Sequence, residues 1–393
     1  MAFPERFKDL PDYAFPRLRA LLDPHAPGDE PVVMTIGEPR HAMPAFLAET
    51  LNAHLDGFSR YPANGGVAPL REAIGGWVQR RYGVALDPQR QIMALNGTRE
   101  GLFNAMLALC PERKRGAQPA ALIPNPFYQV YAAATMAVGA EPVYVPATAE
   151  SGFLPDYAAL PAELLDRVAV AWICSPANPQ GAVASRAYWA ELLALAERHD
   201  FRIFADECYS EIWRDAPPPG MLEAAAEGGA DPERVLVFNS LSKRSNLPGL
   251  RSGFVAGGPE CIARMLLLRT YGGAPLPPPL QQVSVAVWKD EAHVEANREL
   301  YRAKFDVVEE VLGDVPGFRA PDAGFFLWLA VPDGEAAALK LWRDAGVQVL
   351  PGSYFAREVD GIDPGKQYIR VALTGPLEEV RTGLTRLRAR LYD

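Results

Sequence analysis

The sequence predicts an α/β fold: a mainly parallel sheet with helices on both faces, followed by a smaller α+β unit. Three observations predict this fold. Short, fully apolar runs alternate with helical stretches between residues 98 and 270, polar residues follow directly where several runs end, and the pattern changes after Pro278. Apolar runs of this kind are typical of strands whose two faces are both covered by helices.

Composition bounds the classes of protein that fit. The 393 residues suffice for about two or three domains and a sizeable core. Hydrophobic residues at 49% and charged residues at 22% exclude bulk disorder, collagen and a simple coiled coil. The net charge of −9 argues against a nucleic-acid partner, because an acidic surface repels phosphate.

Cysteine, histidine and apolar patterning indicate location and metal content. The four cysteines form no CxxC pair and are predicted to be free thiols in a reducing compartment, and the five histidines lack zinc-ligand spacing, so no metal is expected. The N-terminus carries charges throughout, and no apolar run approaches the roughly 18 residues of a membrane span. We therefore expect a cytoplasmic protein without membrane contact.

The predicted elements follow in chain order. Residues 1–40 are rich in proline and resemble an arm, and the helical patterns AFLAETLNAHL and PLREAIGGWVQRRYG flank the RYPANGG break at 60–66. The predicted strands are AALIP (120–124), EPVYV (141–145), VAVAWIC (168–174), FRIFAD (201–206), VLVFNS (235–240) and SGFVAGG (252–258). The helices between them are predicted at 98–109, 127–138, 186–199 and 259–270. A long helical run from 281, then DAGFFLWL, VQVLPG and YIRVAL, are typical of a smaller α+β domain.

The segment VFNSLSKRSNLPGLRSGF carries the first candidate chemistry. Lys243 can form a Schiff base with a carbonyl cofactor, and Ser240, Ser242 and Arg251 can hold a phosphate. Taken alone, such a loop is more often a solvated basic turn.

Asp206 ends the apolar strand of RIFADECYSEIW, where it can pair with a cationic ring nitrogen. It could equally cap the next helix, and on this segment alone capping is favoured. In CSPANPQG, the Asn178 amide is either a donor to a ring oxygen or part of an ordinary turn.

Two further segments leave both interpretations open. In LNGTREGLFNAML, Gly97 and Thr98 open a helix whose free N–H groups can bind phosphate, or Thr98 caps that helix. In QYIRVAL, Arg370 either faces solvent or clamps a carboxylate with two hydrogen bonds. The 37 residues from Asp206 to Lys243 (243 − 206) allow one helix and one strand, which predicts neighbouring positions at one sheet edge.

Together, NGT, NPxG, DExY, SxSKRxxxPGxR and the arginine of YIRVAL resemble the class I/II pyridoxal-phosphate aminotransferases of fold type I. The resemblance runs from about Phe15 to Leu391 and is strongest to the bacterial N-succinyldiaminopimelate aminotransferases. It is carried by FPRLRALL, TIGEPRHAMPAF, NGTREGLF, NPFYQVY, SKRSNLPGLRSGF, LLRTYGG, DEAHVEANRELYRAKF and VLPGSYFAREVDGIDPG.

The resemblance implies an arm with part of a small domain (1–45), a large cofactor domain with a mostly parallel seven-stranded sheet (46–280), and a small C-terminal domain (281–393). It implies pyridoxal 5'-phosphate as the cofactor and a homodimer with active sites at the interface. It also implies ping-pong transfer of an amino group between glutamate and a 2-oxo acid. The implied substrate pair is N-succinyl-2-amino-6-oxopimelate and N-succinyl-LL-diaminopimelate, of diaminopimelate and lysine biosynthesis.

The resemblance also assigns roles to single residues. Lys243 would bind the cofactor covalently and act as acid and base, while Asp206 would pair with the ring nitrogen. Asn178 and Tyr209 would contact the ring oxygen and Tyr128 the ring face. The phosphate would be held by Gly97, Thr98, Arg99, Ser240, Ser242, Arg251 and, from the neighbouring subunit, Tyr61. The α-carboxylate would be held by Arg370 with Gly37 and Asn178.

Other functions stay open at this stage. The same residues serve an aminotransferase of aromatic amino acids, alanine or dicarboxylic amino acids, and a pyridoxal-phosphate β-lyase. A cofactor-binding regulator would need an added DNA-binding unit, and a NAD enzyme would need GxGxxG after a strand, which does not occur. Gly272 stands where the family pattern has histidine, and the candidates for reading distal carboxylates are Arg40, Arg99 and Arg244.

Overall fold

The structure is a computed structural model that describes residues 5–393. Its strands are β1 (Val32–Val33), β2 (Ile92–Leu95), β3 (Ala120–Asn125), β4 (Glu141–Pro146), β5 (Val168–Cys174), β6 (Arg202–Asp206), β7 (Val235–Ser240), β8 (Gly253–Gly257), β9 (Phe326–Ala330), β10 (Val347–Gln348), β11 (Leu350–Pro351) and β12 (Tyr368–Ala372).

The helices lie between these strands, before them and after them. They are α1 (Ala14–Leu22), α2 (Leu47–Asn52), α3 (Ala68–Tyr82), α4 (Thr98–Leu109), α5 (Gln129–Ala137), α6 (Ala162–Leu165), α7 (Arg186–His199), α8 (Met221–Gly228), α9 (Leu241–Arg244), α10 (Pro259–Tyr271), α11 (Pro278–Lys289), α12 (Ala292–Leu312), α13 (Gly334–Ala345) and α14 (Leu377–Leu391). Within residues 5–393, no helix has the length and apolar character that crossing a membrane requires.

The large sheet has seven strands in the order β2-β8-β7-β6-β5-β3-β4. The pairs from β7 to β4 are parallel, whereas β8 runs antiparallel to both β7 and β2. The predicted α/β fold and the six predicted strands are confirmed. Strand β2 was missed, because a four-residue apolar run does not by itself distinguish strand from helix.

Both faces of this sheet are buried, as continuous apolar strands require. Along β7, Val235 and Val237 join one core cluster while Leu236 and Phe238 join another. The side chains therefore alternate between two apolar layers with the period of two that a strand imposes. Helix α11 adds Trp288 to the first layer.

A second, antiparallel sheet follows, in the order β11-β12-β9, and β1 pairs in parallel with β10. The long helical run predicted from 281 is two helices. Asp290 leaves the helical conformation at the end of α11, and its carboxylate accepts the His293 N–H at 3.0 Å at the start of α12. The domain boundaries at 45/46 and 280/281 stay predictions.

Candidate active site

A cleft of about 480 Å³ opens where the parallel strands end. Cys174, Asp206 and Ser240 are the last residues of β5, β6 and β7, and all three line it. Arg370 of β12 and Gly37, from the segment after β1, line the same cleft. Both sheets thus contribute to one site at the strand ends, where open α/β sheets bind ligands.

Lys243 lies on the short helix α9, directly after β7, and its Nζ donates to the Gly37 carbonyl. Burial lowers the pKa of Lys243 to about 8, and the nearby cations Arg370 and Arg251 act in the same direction. A neutral amine is therefore accessible near neutral pH, which a nucleophile or a base requires.

Asp206 is buried at the end of β6 and held by two donors. Its carboxylate accepts the Tyr131 hydroxyl at 2.9 Å and the Cys208 backbone N–H at 3.3 Å. The Tyr131 ring is itself stacked on Trp172, with centroids 4.8 Å apart. Burial raises the pKa of Asp206, while the two hydrogen bonds and the nearby Lys243 oppose that rise. The result is a rigid buried carboxyl suited to a cationic partner.

An anion-binding corner forms where β2 leads into α4. Gly97 has a φ of 82°, and a Cβ built on it would lie 2.0 Å from an Nη atom of Arg251. Only glycine therefore allows the guanidinium to lie this close to the α4 N-terminus. Ser240 and Ser242, at the start of α9, line the same cleft. Free helix N–H groups, hydroxyls and a guanidinium are the donors that a phosphate requires.

Arg370 is buried, which decides against the solvent-facing interpretation. Its Nη1 donates to Asn178 Oδ1 at 3.0 Å and its Nη2 to the Thr35 carbonyl at 2.7 Å. Phe326 and Phe355 lie 4.2 and 4.3 Å from the guanidinium carbon. Burial lowers the pKa of Arg370 to about 10. Each Nη carries a second N–H beyond these bonds, and Arg370 lines the cleft, so this cation keeps donor capacity for an anionic ligand.

Three tyrosines that the sequence analysis assigned have different surroundings. Tyr128 lines the cleft, where its hydroxyl accepts the Arg99 Nε–H at 2.6 Å. Tyr209 also lines the cleft, with its ring at an edge-on angle to Phe325 at 5.4 Å. Tyr61 is fully exposed and lies outside the cleft.

Of the three arginines considered for distal carboxylates, Arg99 alone lines the cleft. Arg244 is fully buried, where it pairs with Glu291 at 2.9 Å and lies against Trp288. That candidate is corrected, because α9 turns its side chain into the core while Lys243 faces the cleft. Arg40 hydrogen-bonds Glu379 at 2.5 Å instead.

Sequence reasoning missed several residues of the site. Tyr131 and Cys208 hold the Asp206 carboxyl, and Glu38 and Tyr13 line the cleft. Cys208 lies two residues after Asp206, so an acid that ends a strand could have signalled a backbone donor there. Tyr131 gave no such signal, because its apolar neighbours made it an ordinary helix position. Among residues 5–393, no group of three or more metal-binding side chains forms a metal site.

Comparison with known proteins identifies the family. The model of the aminotransferase class I and II family matches residues 29–387. The chain belongs to this family. Membership of this class of aminotransferases, together with the fold, implies pyridoxal phosphate as the cofactor.

Individual relatives cover nearly the whole aminotransferase chain. The LL-diaminopimelate aminotransferase of Desulforudis audaxviator is 34% identical over 99% of this chain and 98% of its own. An aminotransferase structure from Neisseria meningitidis is 39% identical, with a TM-score of 0.93 over 98% of this chain and 99% of its own. A probable N-succinyldiaminopimelate aminotransferase from Thermus thermophilus is 27% identical, with a TM-score of 0.84 over 96% of this chain and 100% of its own.

Proposed function

We propose that this aminotransferase exchanges an amino group between glutamate and a diaminopimelate-type substrate by a ping-pong reaction. The observation that carries the proposal is the meeting of Lys243, Asp206 and Arg370 in one cleft, although they come from α9, β6 and β12. Amino transfer at a carbonyl cofactor requires an amine, a buried acid and a guanidinium with free hydrogen-bond donors.

The cleft fits pyridoxal phosphate by its donor set. The phosphate would bind the α4 N-terminus, Ser240, Ser242 and Arg251, because that corner gathers hydrogen-bond donors and a Cβ at Gly97 would close it. Asp206 would pair with the ring nitrogen from its buried position.

The remaining contacts would orient the ring. Tyr128 would cover the ring face, and Tyr209 would donate to the ring oxygen. Asn178 is suited to the same oxygen because Arg370 occupies its Oδ1, which leaves the amide nitrogen to donate. Bound there, the cofactor supplies an electron sink for the bonds of the substrate α-carbon.

The protein's own residues would handle the proton and the carboxylate. Arg370 would hold the α-carboxylate, which fixes the orientation of the substrate α-carbon. Lys243 would take and return the α-proton at Nζ, since its lowered pKa keeps part of the amine neutral at neutral pH. The Gly37 carbonyl holds the same Nζ near the carboxylate subsite.

The proposed substrate is LL-diaminopimelate, with its N-succinyl form as the second candidate. The names of two relatives support a diaminopimelate skeleton. The Desulforudis enzyme is named for free LL-diaminopimelate, and the Thermus protein is named for the N-succinyl form. Glu38 and Arg99 both line the cleft, and a carboxylate and a guanidinium suit the distal ammonium and carboxylate of free diaminopimelate. A succinyl group would convert that ammonium into a neutral amide.

A half-reaction screen tests the function. Purified protein loaded with pyridoxal phosphate is mixed with glutamate, LL-diaminopimelate, N-succinyl-LL-diaminopimelate, alanine or an aromatic amino acid, and cofactor absorbance is followed. We expect glutamate and one diaminopimelate to react with release of a 2-oxo acid. Reaction only with alanine or aromatic amino acids would refute the substrate, and release of ammonia and pyruvate would indicate a β-lyase.

We further propose a homodimer with Tyr61 at its interface. Tyr61 is exposed together with Phe58 and Tyr271. The two segments that carry them are neighbours, since Asn64 Nδ2 lies 3.5 Å from Thr270 Oγ1. Exposed apolar side chains grouped on one face favour association. Light scattering should give twice the 42.8 kDa chain mass, and a mass near one chain would contradict the dimer.

A further inference from the structure

Four buried or half-buried polar side chains outside the lining of the cleft are joined by hydrogen bonds. Lys304 Nζ is 2.7 Å from His41 Nε2, and His41 Nδ1 is 2.7 Å from Asn297 Oδ1. Asn246 Nδ2 lies 3.0 Å from the same Asn297 oxygen. We call Lys304, His41, Asn297 and Asn246 the Lys304 chain. Lys304 is only 1% exposed, so its bonds form away from solvent.

The hydrogen-bond directions within the Lys304 chain follow from the Asn297 amide oxygen, which can only accept. A neutral His41 therefore donates from Nδ1 and accepts at Nε2 from Lys304 Nζ, whose pKa is lowered by burial to about 7. The proton of His41 then lies on Nδ1 and is donated to Asn297 Oδ1. That oxygen also accepts from Asn246 Nδ2, so each of the four side chains has an assigned donor or acceptor in these hydrogen bonds. Burial lowers the pKa of His41, which agrees with a neutral ring.

The Lys304 chain reaches three segments that supply the active site. Lys304 Nζ donates to the Leu373 carbonyl at 2.9 Å, three residues beyond Arg370. Asn297 Nδ2 contacts the Arg244 carbonyl at 3.4 Å, directly after Lys243. His41 lies on the segment that carries Gly37, whose carbonyl accepts from Lys243.

We propose that Lys304 and His41 are positioning residues, which set the placement of the Lys243 amine relative to Gly37 and the Arg370 carboxylate subsite. The inference rests on the proposed function, because it concerns the carboxylate and amine of that site. Burying an amine costs free energy even when it is hydrogen-bonded, and an apolar side chain would fill the same space without that cost. The hydrogen bonds of Lys304 Nζ to His41 and to the Leu373 carbonyl instead join the segment that carries Gly37 to the segment that carries Arg370.

The variant His41→Phe tests the inference. It keeps the ring, which lies 4.7 Å from Tyr301, and removes both hydrogen bonds. The matched control is His199→Phe, which removes a hydrogen bond to Asp166 at 2.8 Å from a buried histidine at the end of α7. His41 is half-buried, and both variants remove hydrogen bonds that are shielded from solvent, so both are expected to lower the midpoint of thermal unfolding.

The measurements are the half-reaction rate against glutamate concentration and the absorbance pH titration of the loaded protein. For His41→Phe we expect the glutamate KM to rise between about 10-fold and 100-fold, because small displacements at a reacting centre have effects of this size. We also expect the titration midpoint to shift. His41→Gln supplies an acceptor and a donor at similar positions and should recover most of the loss.

The outcomes separate the inference from the proposed function. If His41→Phe matches His199→Phe in KM and titration midpoint, the Lys304 chain is only structural and the inference is wrong. If His41→Phe does not fold, Lys304→Met provides the same comparison, and an unchanged KM there overturns the inference. If the wild-type protein reacts with neither glutamate nor a diaminopimelate, the proposed function itself fails.

Discussion

Two lysines lie at opposite ends of the strands of the large sheet, and burial lowers the pKa of each to about 8. Lys114 lies where the strands begin, and its Nζ donates to the carbonyls of Val168, His199 at 2.8 Å and Asp200 at 2.6 Å. Lys243 lies where the strands end, donates to Gly37 and faces the cleft.

The two lysines differ in how many of their N–H donors are already hydrogen-bonded: within residues 5–393, Lys114 Nζ has three acceptors, and Lys243 Nζ has one. Lys114 uses all three donors on backbone carbonyls, including those at the end of α7, and so has a structural role. Arginines differ in the same way. Arg234, near Lys114, pairs with Glu197 and Asp200, whereas Arg370 has no carboxylate partner among the described residues. A lowered pKa alone therefore does not separate the lysine proposed to be catalytic from a structural one.

The largest expected effect is loss of turnover in Lys243→Ala. Lys243 is proposed to bind the cofactor and to move the proton, so removal of its amine should lower the half-reaction rate on the order of 10³-fold. Absorbance of the loaded protein after glutamate addition measures it. Lys114→Met is the control. A similar loss of turnover in that variant would contradict the assignment of different roles to Lys114 and Lys243.

Arg370→Ala should come next in size. Loss of charged hydrogen bonds to the carboxylate is expected to raise KM for glutamate by about 10-fold to 100-fold. Cofactor content, measured after gel filtration, should change little because Arg370 is not at the phosphate corner. An unaltered KM would show that another cation binds the α-carboxylate.

Lys114→Met should lower stability rather than turnover. Three carbonyls lose their donor, two of them in the buried residues Val168 and His199, so we expect the free energy of unfolding to fall by about 1–3 kcal/mol. Urea unfolding monitored by circular dichroism measures that change, with Lys243→Ala as the matched lysine variant. A larger loss of stability in Lys243→Ala than in Lys114→Met would contradict the structural role of Lys114.

The smallest effect is on the pH dependence of cofactor loading. Because the pKa of Lys243 is lowered from 10.5 to about 8, its neutral amine dominates above pH 8 rather than only above 10.5. Below pH 8 the loading rate of the cofactor-free protein should fall about tenfold per pH unit. Stopped-flow absorbance after addition of pyridoxal phosphate measures it, and a rate still rising steeply at pH 10 would contradict the lowered pKa.

Much of the large sheet could be predicted from the sequence, because burial on both faces leaves a local signal. The runs at 168–174 and 235–240 match β5 and β7. The apolar run of strand β2 was too short to be recognised as a strand. The pattern around Arg370 did not show whether its side chain faces solvent or the interior. Alternation cannot tell which face of β12 is buried, since that depends on where Phe326 and Phe355 pack.

The local sequence specifies where polar residues follow buried strands, because strand periodicity and burial are encoded in neighbouring residues. Which of these residues meet depends on how the whole chain packs. Tyr131 reaches Asp206 across 75 positions, Lys243 reaches Gly37 across 206, and Arg370 reaches Thr35 across 335. Contacts at such separations depend on strand order and on the packing of the two sheets, and no local pattern in the chain specifies them.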